Sequence, residues 1–347
     1  MSTTDGRPLV SVIIPAYRAA AYIHETLESA LCQTYPNFEV VLINDGSPDT
    51  EEFERAIAPY RDRIIYISQE NRGPSAARNA GIRRARGEYL AFLDSDDVWS
   101  PTCLAAQVEL ALSRQPSCDL VYSDVLVYSD SRQHHQGMPW ARGARPPAEP
   151  AVRRAAKLRG GAIRYSEICP SSGALTFESL VREDCQAPTS CTMVRRQAAL
   201  SAGLFDENFR RAEDYDLWLR IAHRASNMAY GRDVLGRNRI VTGSLSQDNM
   251  KMLEGMFTVL SKLSKSLDLS ASERSVLNNK LADTKALLYW ERGKAFLLDG
   301  KYDQAIASLR ETGSSLISSK LRWALFGLKV APRLTRALAG AWLASKR

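Results

Sequence analysis

The sequence predicts an α/β protein: a mostly parallel β-sheet flanked by helices over residues 1–250, followed by an all-helical region. Three observations predict it. Short β-branched apolar runs alternate with helical patterns through the first hundred residues, as βαβ units require. Polar turns rich in carboxylates recur at the ends of those runs. Beyond Lys251 the apolar spacing is helical throughout.

Each element follows in order. LVSVIIPAY reads as a buried strand and AAYIHETLESALCQ as a helix. FEVVLINDGS is a second strand ending in a turn, DTEEFERAIAPY a second helix and RIIYIS a third strand. PSAARNAGIRRARG is a helix, EYLAFLD a fourth strand and PTCLAAQVELALSR another helix. CDLVYSDVLVYSD reads as two short strand-like pieces around Asp124, and the 137–176 segment as irregular. Within it the basic run 140–164 is a loop broken by one short helix. CTMVRRQAALSAG runs from strand into helix, and FDENFRRAEDYDLWLRIAHRA is helical from about Asp214.

The remainder divides into a helical region, 251–319, and a basic amphipathic tail, 320–347. Residues 289–309, with Gly293, Ala295, Gly300, Tyr302, Ala305 and Ile306, resemble one tetratricopeptide helix pair. A single pair cannot build a solenoid, so plain helical packing and peptide binding both stand as readings.

Composition narrows the class. The 347 residues are 45% apolar and 24% charged, which suits a globular protein with a sizeable core. No run approaches the length of a membrane span, and MSTTDGRP leads straight into VSVII, so no secretory signal is expected. Six cysteines without a CxxC pair or zinc spacing point to a reduced, cytoplasmic protein. The net charge of +7 is carried entirely by residues 320–347, which hold seven Lys/Arg and no Asp/Glu. A neutral body with a basic end argues against nucleic acid and for local docking on an anionic surface.

The chemistry concentrates at strand ends, where open α/β sheets bind ligands. FLDSDDVW places Asp94, Asp96 and Asp97 directly behind an apolar strand. The cluster suits a helix N-cap as well as a divalent cation, since Mg2+ takes one or two carboxylates plus substrate phosphates. Asp45, in LINDGS, is either an Asx-turn residue or an acceptor for a base N–H. Arg78, early in a helix, is either a surface residue or a donor to planar acceptors. Glu213 and Asp214 open a helix, where carboxylates are comfortable without function, yet they abut the apolar stripe of Leu217, Trp218 and Ile221. A carboxylate in such surroundings suits a general base.

The stretches VSVIIPAYRAAAYIHETLESALCQTYPNFEVVLINDGSPD, QENRGPSAARNAGIRRARGEYLAFLDSDDVW and FDENFRRAEDYDLWLR, in this order and spacing, resemble the family-2 inverting glycosyltransferases over residues 8–250. The resemblance implies a GT-A-type, Rossmann-like fold and a nucleoside-diphosphate sugar as donor, UDP-sugar being the default. It implies that Pro15, Ala16 and Tyr17 line the nucleotide site, that Asp45 recognises the base and that Arg78 approaches base and phosphates. Asp94 and Asp96 become the D-x-D pair, with Asp96 the main ligand of Mg2+ or Mn2+, and Asp214 beside Glu213 the catalytic base. Asp97 stays unassigned. The implied reaction is a single in-line displacement onto a hydroxyl of a glycan or lipid-linked acceptor, with polysaccharide biosynthesis at the cell envelope as its setting. The 137–190 region is where acceptor contacts are expected.

One departure stands out. Many relatives carry a metal-site histidine near a Ser-x-Ser after the base helix. This chain has Val241 there, with Ser244 and Ser246 kept, and its four histidines (His24, His134, His135, His223) lie elsewhere.

The tail sets Trp323, Leu325, Phe326, Leu328, Leu334, Leu338, Trp342 and Leu343 among basic residues, and Pro332 should split it into two short helices. Such a segment suits peripheral contact with the cytoplasmic face of an anionic membrane, or packing of its apolar face on the body. Residues 251–319 suit a protein partner or a second copy of the chain. Two rivals remain: a non-catalytic sugar-nucleotide-binding scaffold, and a nucleotidyltransferase, whose expected Gly-rich phosphate loop PAYRAAAY lacks.

Overall fold

The computed structural model describes residues 6–114, 116–129, 164–166, 175–182, 187–224, 227–241, 248–312, 325–328, 330–335 and 337–338. Most of the 137–176 segment, the basic run before Arg164, Ser244, Ser246, His134, His135, Trp323 and Trp342 lie outside them. The chain divides into two compact units, Met1–Ser244 and Leu245–Arg347.

The first unit is an α/β sandwich. In chain order its elements are β1 (Val10–Ala16), α1 (Ile23–Leu31), β2 (Phe38–Asp45), α2 (Thr50–Ile57), β3 (Ile65–Gln69), α3 (Pro74–Arg84), β4 (Tyr89–Phe92), β5 (Val98–Trp99) and α4 (Cys103–Leu112). There follow β6 (Leu120–Ser129), β7 (Arg164–Ser166), α5 (Phe177–Arg182), β8 (Thr192–Arg195), α6 (Arg196–Ser201), α7 (Glu213–Arg224) and β9 (Met228–Ile240). The sheet order is β3-β2-β1-β4-β8-β6-β9-β5, with β7 on β6 off this path. Strands β3, β2, β1 and β4 are mutually parallel, with Val10 opposite both Phe38 and Tyr89. Beyond β4 the sheet becomes mixed: β8 runs antiparallel to β4 and β6, while β6 and β9 are parallel.

Buried β-branched and aliphatic residues explain the parallel half. Val12, Ile14, Val40 and Leu42 pack towards α1 and α2 in one cluster with Ile23, Leu27 and Phe53. Ile13 and Ile43 meet α3, which lies so close that a methyl group at Gly81 would stand 2.7 Å from both side chains. That close approach carries Arg78, one turn earlier, to the edge of the sheet. Phe92, Phe205 and Trp218 form an aromatic cluster with centroids 5.4–5.9 Å apart, which seats α7.

The structure differs from the expectation in three places. CDLVYSDVLVYSD is one strand, β6, whose register shifts around Asp124 mark a bulge rather than a break. The pairing of β9 with β6 and β5 was not legible, because its arginines and Asp233 hide the alternation. The carboxylates of FLDSDDVW cap no helix: β5 intervenes, and α4 begins at Cys103 with Thr102 as its N-cap.

The second unit is helical: α8 (Asn249–Ser266), α9 (Ala271–Leu298) and α10 (Tyr302–Arg310). A reciprocal capping box of Ser270 and Glu273 starts α9. Helices α9 and α10 form a hairpin in which Gly293 admits Leu309 and the Ser308 hydroxyl donates to the Tyr289 carbonyl at 2.9 Å. Leu328 joins Leu297, Ala305 and Leu309 in their small core, with Leu325 against it. The helical turns at 325–328 and 332–335 lie on either side of Ala331, as Pro332 dictates. Phe326, Val330, Leu334 and Leu338 are exposed. Among the described residues no helix is long and apolar enough to cross a membrane, and Cys32, Cys103, Cys118 and Cys191 are unbridged.

Candidate active site

The site lies at the C-terminal ends of the parallel strands. Pro15 and Ala16 end β1, and Tyr17 follows with 45% of its surface exposed. The chain then turns sharply: Arg18 takes φ 54°, an uncommon geometry for a residue with a side chain, and its N–H donates to Ser47 Oγ at 2.6 Å. The loops after β1 and β2 are thereby tied together.

Asp45 ends β2 and is buried. Its Oδ1 accepts from Gln69 Nε2 at 2.7 Å and the Arg72 N–H at 3.0 Å, and its Oδ2 accepts from the Gly73 N–H at 2.8 Å. It thus organises the loop entering α3. A carboxylate offers about four acceptor positions, so one remains on Oδ2. Gly46, at φ 64°, permits the approach of Asn71, whose backbone N would lie 2.5 Å from any Cβ there.

Arg78 is the hub. Its side chain is 6% exposed; Nη2 donates to Asp94 Oδ1 at 2.7 Å and Nη1 to Glu213 Oε1 at 2.8 Å. Burial opposes its charge, but these two carboxylates outweigh burial and hold it firmly protonated. Its guanidinium lies 5.4 Å over the Phe205 ring, and its buried Nε has no hydrogen-bond partner. Both ends of the fork are thus committed to the protein.

The 94–97 turn closes with the Asp97 N–H donating to the Asp94 carbonyl at 3.1 Å. Its three carboxylates have different fates. Asp94 is paired to Arg78. Asp97 is buried, its Oδ2 accepting from Ser190 Oγ at 2.5 Å and its Oδ1 from the Arg239 N–H at 2.8 Å. Burial, with the charges of Asp96 and Asp94, pushes Asp97 well above the usual carboxylate range. Asp96 has no ion-pair partner among the described residues. Burial and the charge of Asp94 raise it to about 6, while the nearby Arg239 pulls it back. Among the described residues, then, Arg239 lowers Asp96 only from a distance and no lysine or arginine pairs with its carboxylate.

Among the described residues no three His, Cys, Asp or Glu side chains form a closed metal cage. Asp96, without an ion-pair partner among the described residues, and Asp94, whose Oδ2 Arg78 does not engage, are the carboxylates that would suit a hard cation sharing its shell with diphosphate oxygens and water. Where the resemblance places a histidine, the end of β9 presents Arg239, two residues before Val241. Its Nε donates to the Asp96 carbonyl at 3.0 Å, and its guanidinium pairs with Glu25 and lies 5.0 Å over the Tyr22 ring. His24 meets Tyr60 and Glu28 instead, and His223 lies edge-on to Phe177.

Glu213 and Asp214 start α7 behind Ala212, which takes φ 56°. Backbone strain of this kind costs on the order of 1–3 kcal/mol and clusters at functional sites. Burial raises the Glu213 carboxyl above its ordinary range, Arg78 pulls it down and Asp214 pushes it up. Asp214 is half-buried: Oδ2 accepts from Thr189 Oγ1 at 2.7 Å and Oδ1 from the Tyr215 N–H at 2.8 Å. Asp216, one turn on, is bound to Arg220 at 2.5 Å, whose guanidinium also grips the Leu204 carbonyl at 2.7 Å. That acid serves the fold.

Arg78 therefore joins Asp94 to Glu213 across 16 and 135 residues of sequence. Asp97 was legible as the third carboxylate of FLDSDDVW but without a role, and Arg239, Thr189 and Ser190 were not legible as part of this constellation. Their only sequence signal was position, next to a strand or behind D-x-D.

A family model described as glycosyl transferase family 2 matches residues 11–162. An uncharacterized glycosyltransferase of Rickettsia prowazekii is 32% identical over 249 residues, covering 71% of this chain and 69% of that protein. The crystal structure of S. aureus TarS 1-349 in complex with UDP-GlcNAc has the same fold, with a TM-score of 0.60 at 18% identity over 97% of this chain and 92% of that one. So does the mannosyltransferase PcManGT from Pyrobaculum calidifontis in complex with GDP-Man and Mn2+, with a TM-score of 0.56 at 18% identity over 99% and 87%. The chain belongs to the family-2 glycosyltransferases, with a GT-A-like α/β unit and a helical C-terminal extension.

Proposed function

We propose that this chain transfers a sugar, with inversion, from a nucleoside-diphosphate sugar to a hydroxyl of a glycan or lipid-linked acceptor. The observation that carries the reading is the charge pattern at the strand ends: a single arginine, Arg78, is shared by Asp94 and Glu213, and Asp96 has no ion-pair partner among the described residues, so carboxylates outnumber cations there. An anionic diphosphate would be repelled by that edge unless a cation joined it. A divalent cation held by Asp96, with Asp94 beside it, supplies charge neutralisation for a departing diphosphate.

The chain's own residues do the rest. Tyr17 and the remaining acceptor position of Asp45 hold the base, Asp45 taking a base N–H. Pro15 and Ala16 form the floor beside it. Arg78 keeps Asp94 and Glu213 in place. Asp214, held at both oxygens, takes the proton from the acceptor hydroxyl as that oxygen attacks the anomeric carbon. Glu213 acts on Arg78 rather than on the acceptor. Fixed donors and placement account for most of the rate. A UDP-sugar is favoured, in keeping with UDP-GlcNAc on the TarS structure; GDP-sugars are the next to test, given GDP-Man on the mannosyltransferase.

The tail extends the reading. Exposed Val330, Leu334 and Leu338 stand among seven basic residues without an acid, which suits contact with an anionic bilayer and a cytoplasmic enzyme with a lipid-linked acceptor. A panel of UDP-, GDP- and dTDP-sugars with Mg2+ or Mn2+, read by nucleotide release, tests the function. Metal-dependent turnover of one donor is expected; no binding or turnover of any nucleotide sugar contradicts it.

A further inference from the structure

The short 3-10 turn Thr189–Cys191 touches both acidic groups of the site. The Thr189 hydroxyl donates to Asp214 Oδ2 at 2.7 Å. One residue on, the Ser190 hydroxyl donates to Asp97 Oδ2 at 2.5 Å and accepts the Asp94 N–H at 3.1 Å. The turn is itself clamped. Trp99 Nε1 donates to the Ser190 carbonyl, Gln107 Nε2 to the Cys191 carbonyl at 2.8 Å, and Thr192 Oγ1 to the Pro188 carbonyl at 2.9 Å. Ser190 is 1% exposed.

We propose that Thr189 and Ser190 are positioning residues that lock the 94–97 turn and Asp214 into one register. The inference rests on the reading of this edge as a glycosyl-transfer site. Consecutive Cα atoms lie about 3.8 Å apart, so hydroxyls on adjacent residues cannot drift independently. An in-line displacement needs the attacking and leaving oxygens opposed, and a misplacement of about 1 Å costs roughly 100-fold in rate. The Thr189 contact goes to the Asp214 carboxylate, where a hydroxyl donor makes its strongest hydrogen bonds. Asp97 finds its purpose here: a buried acid that holds Ser190 on one side and the end of β9 on the other. It is the strut that keeps the turn shaped when Asp96 carries its charge.

The test uses full-length Thr189→Val, Thr189→Ser, Ser190→Ala and Asp214→Asn. Mn2+ affinity in the presence of UDP is read by electron paramagnetic resonance, and kcat on the nucleotide sugar the panel turns over. Thr189→Val should lower kcat on the order of 100-fold with UDP and Mn2+ binding at the wild-type value, and Thr189→Ser should restore it. Ser190→Ala should weaken Mn2+ binding about 10-fold, as loss of an outer-shell partner does. If Asp214→Asn is inactive but Thr189→Val turns over normally, or Thr189→Ser is as slow as Thr189→Val, the inference falls and the base reading stands. If Asp214→Asn itself turns over normally, both fall. Wild-type Mn2+ affinity in Ser190→Ala overturns the Ser190 half, and a wild-type chain that takes up no Mn2+ with UDP overturns the metal reading with it.

Discussion

Two acidic clusters meet at the same sheet edge and are managed in opposite ways. At the start of α7, Glu213 has Arg78, and Asp214 has a hydroxyl and a backbone N–H. In the 94–97 turn, Asp94 shares that arginine, Asp97 is fixed by Ser190 and Arg239, and Asp96 is left raised to about 6 by burial and by Asp94. Asp96 is half-buried with no ion-pair partner among the described residues, an arrangement that costs stability. The first cluster draws its partners from an arginine, a hydroxyl and a backbone N–H; in the second, Asp96 has no ion-pair partner among the described residues.

The comparison can be broken from either side. The largest effect should come from Asp214→Asn, which keeps the shape of the first cluster and removes the proposed base. Transfer should fall by about 10²–10⁴-fold, with UDP and Mn2+ binding unchanged by calorimetry. Arg78→Met should come next, on stability. It strands Asp94 and Glu213, and breaking a buried pair costs about 3–5 kcal/mol, read by urea unfolding. Adding Glu213→Gln to Arg78→Met should recover part of that loss.

The second cluster gives a smaller, pH-dependent effect. Asp96 sits above its ordinary 3.8, at about 6, so the folded chain holds that proton more tightly than the unfolded one. Its ionisation therefore costs stability: the cost is absent below 3.8, grows through the window up to about 6 and is complete above it. Asp96→Asn should melt higher than wild type at pH 7, and the difference should shrink as pH falls towards 4. A constant difference across that range would show that the Asp96 charge is compensated after all. The smallest effect belongs to the tail. Leu334→Ser and Arg333→Glu should each weaken sedimentation with anionic vesicles several-fold, with basic residues worth about 1 kcal/mol apiece and added salt reducing the binding.

Much of this site was legible because its chemistry is local. Asp45, Asp94, Asp96 and Asp214 stand at or near the ends of elements whose apolar spacing announces them, and β1, β2 and β4 follow from runs that are largely buried on both faces. What was not legible is what those acids touch. Ser190 reaches Asp97 across 93 residues and Arg239 across 142, and no spacing rule spans such distances. Strand β9 escaped because its arginines and Asp233 interrupt the apolar alternation along an irregular pairing with β6. The cap reading of FLDSDDVW fell for the opposite reason: two residues, Val98 and Trp99, pair with β9 and push the helix start to Cys103.

The central claim is that Asp96 is the charge a bound cation completes. Calorimetric titration of UDP with and without Mn2+, on the wild-type chain and on Asp96→Asn, tests it most directly. Mn2+ and UDP should each bind the wild-type chain weakly alone and strengthen one another together, and Asp96→Asn should abolish this mutual gain. Equal UDP affinity with and without Mn2+ in the wild-type chain, or an undiminished gain in Asp96→Asn, would contradict it.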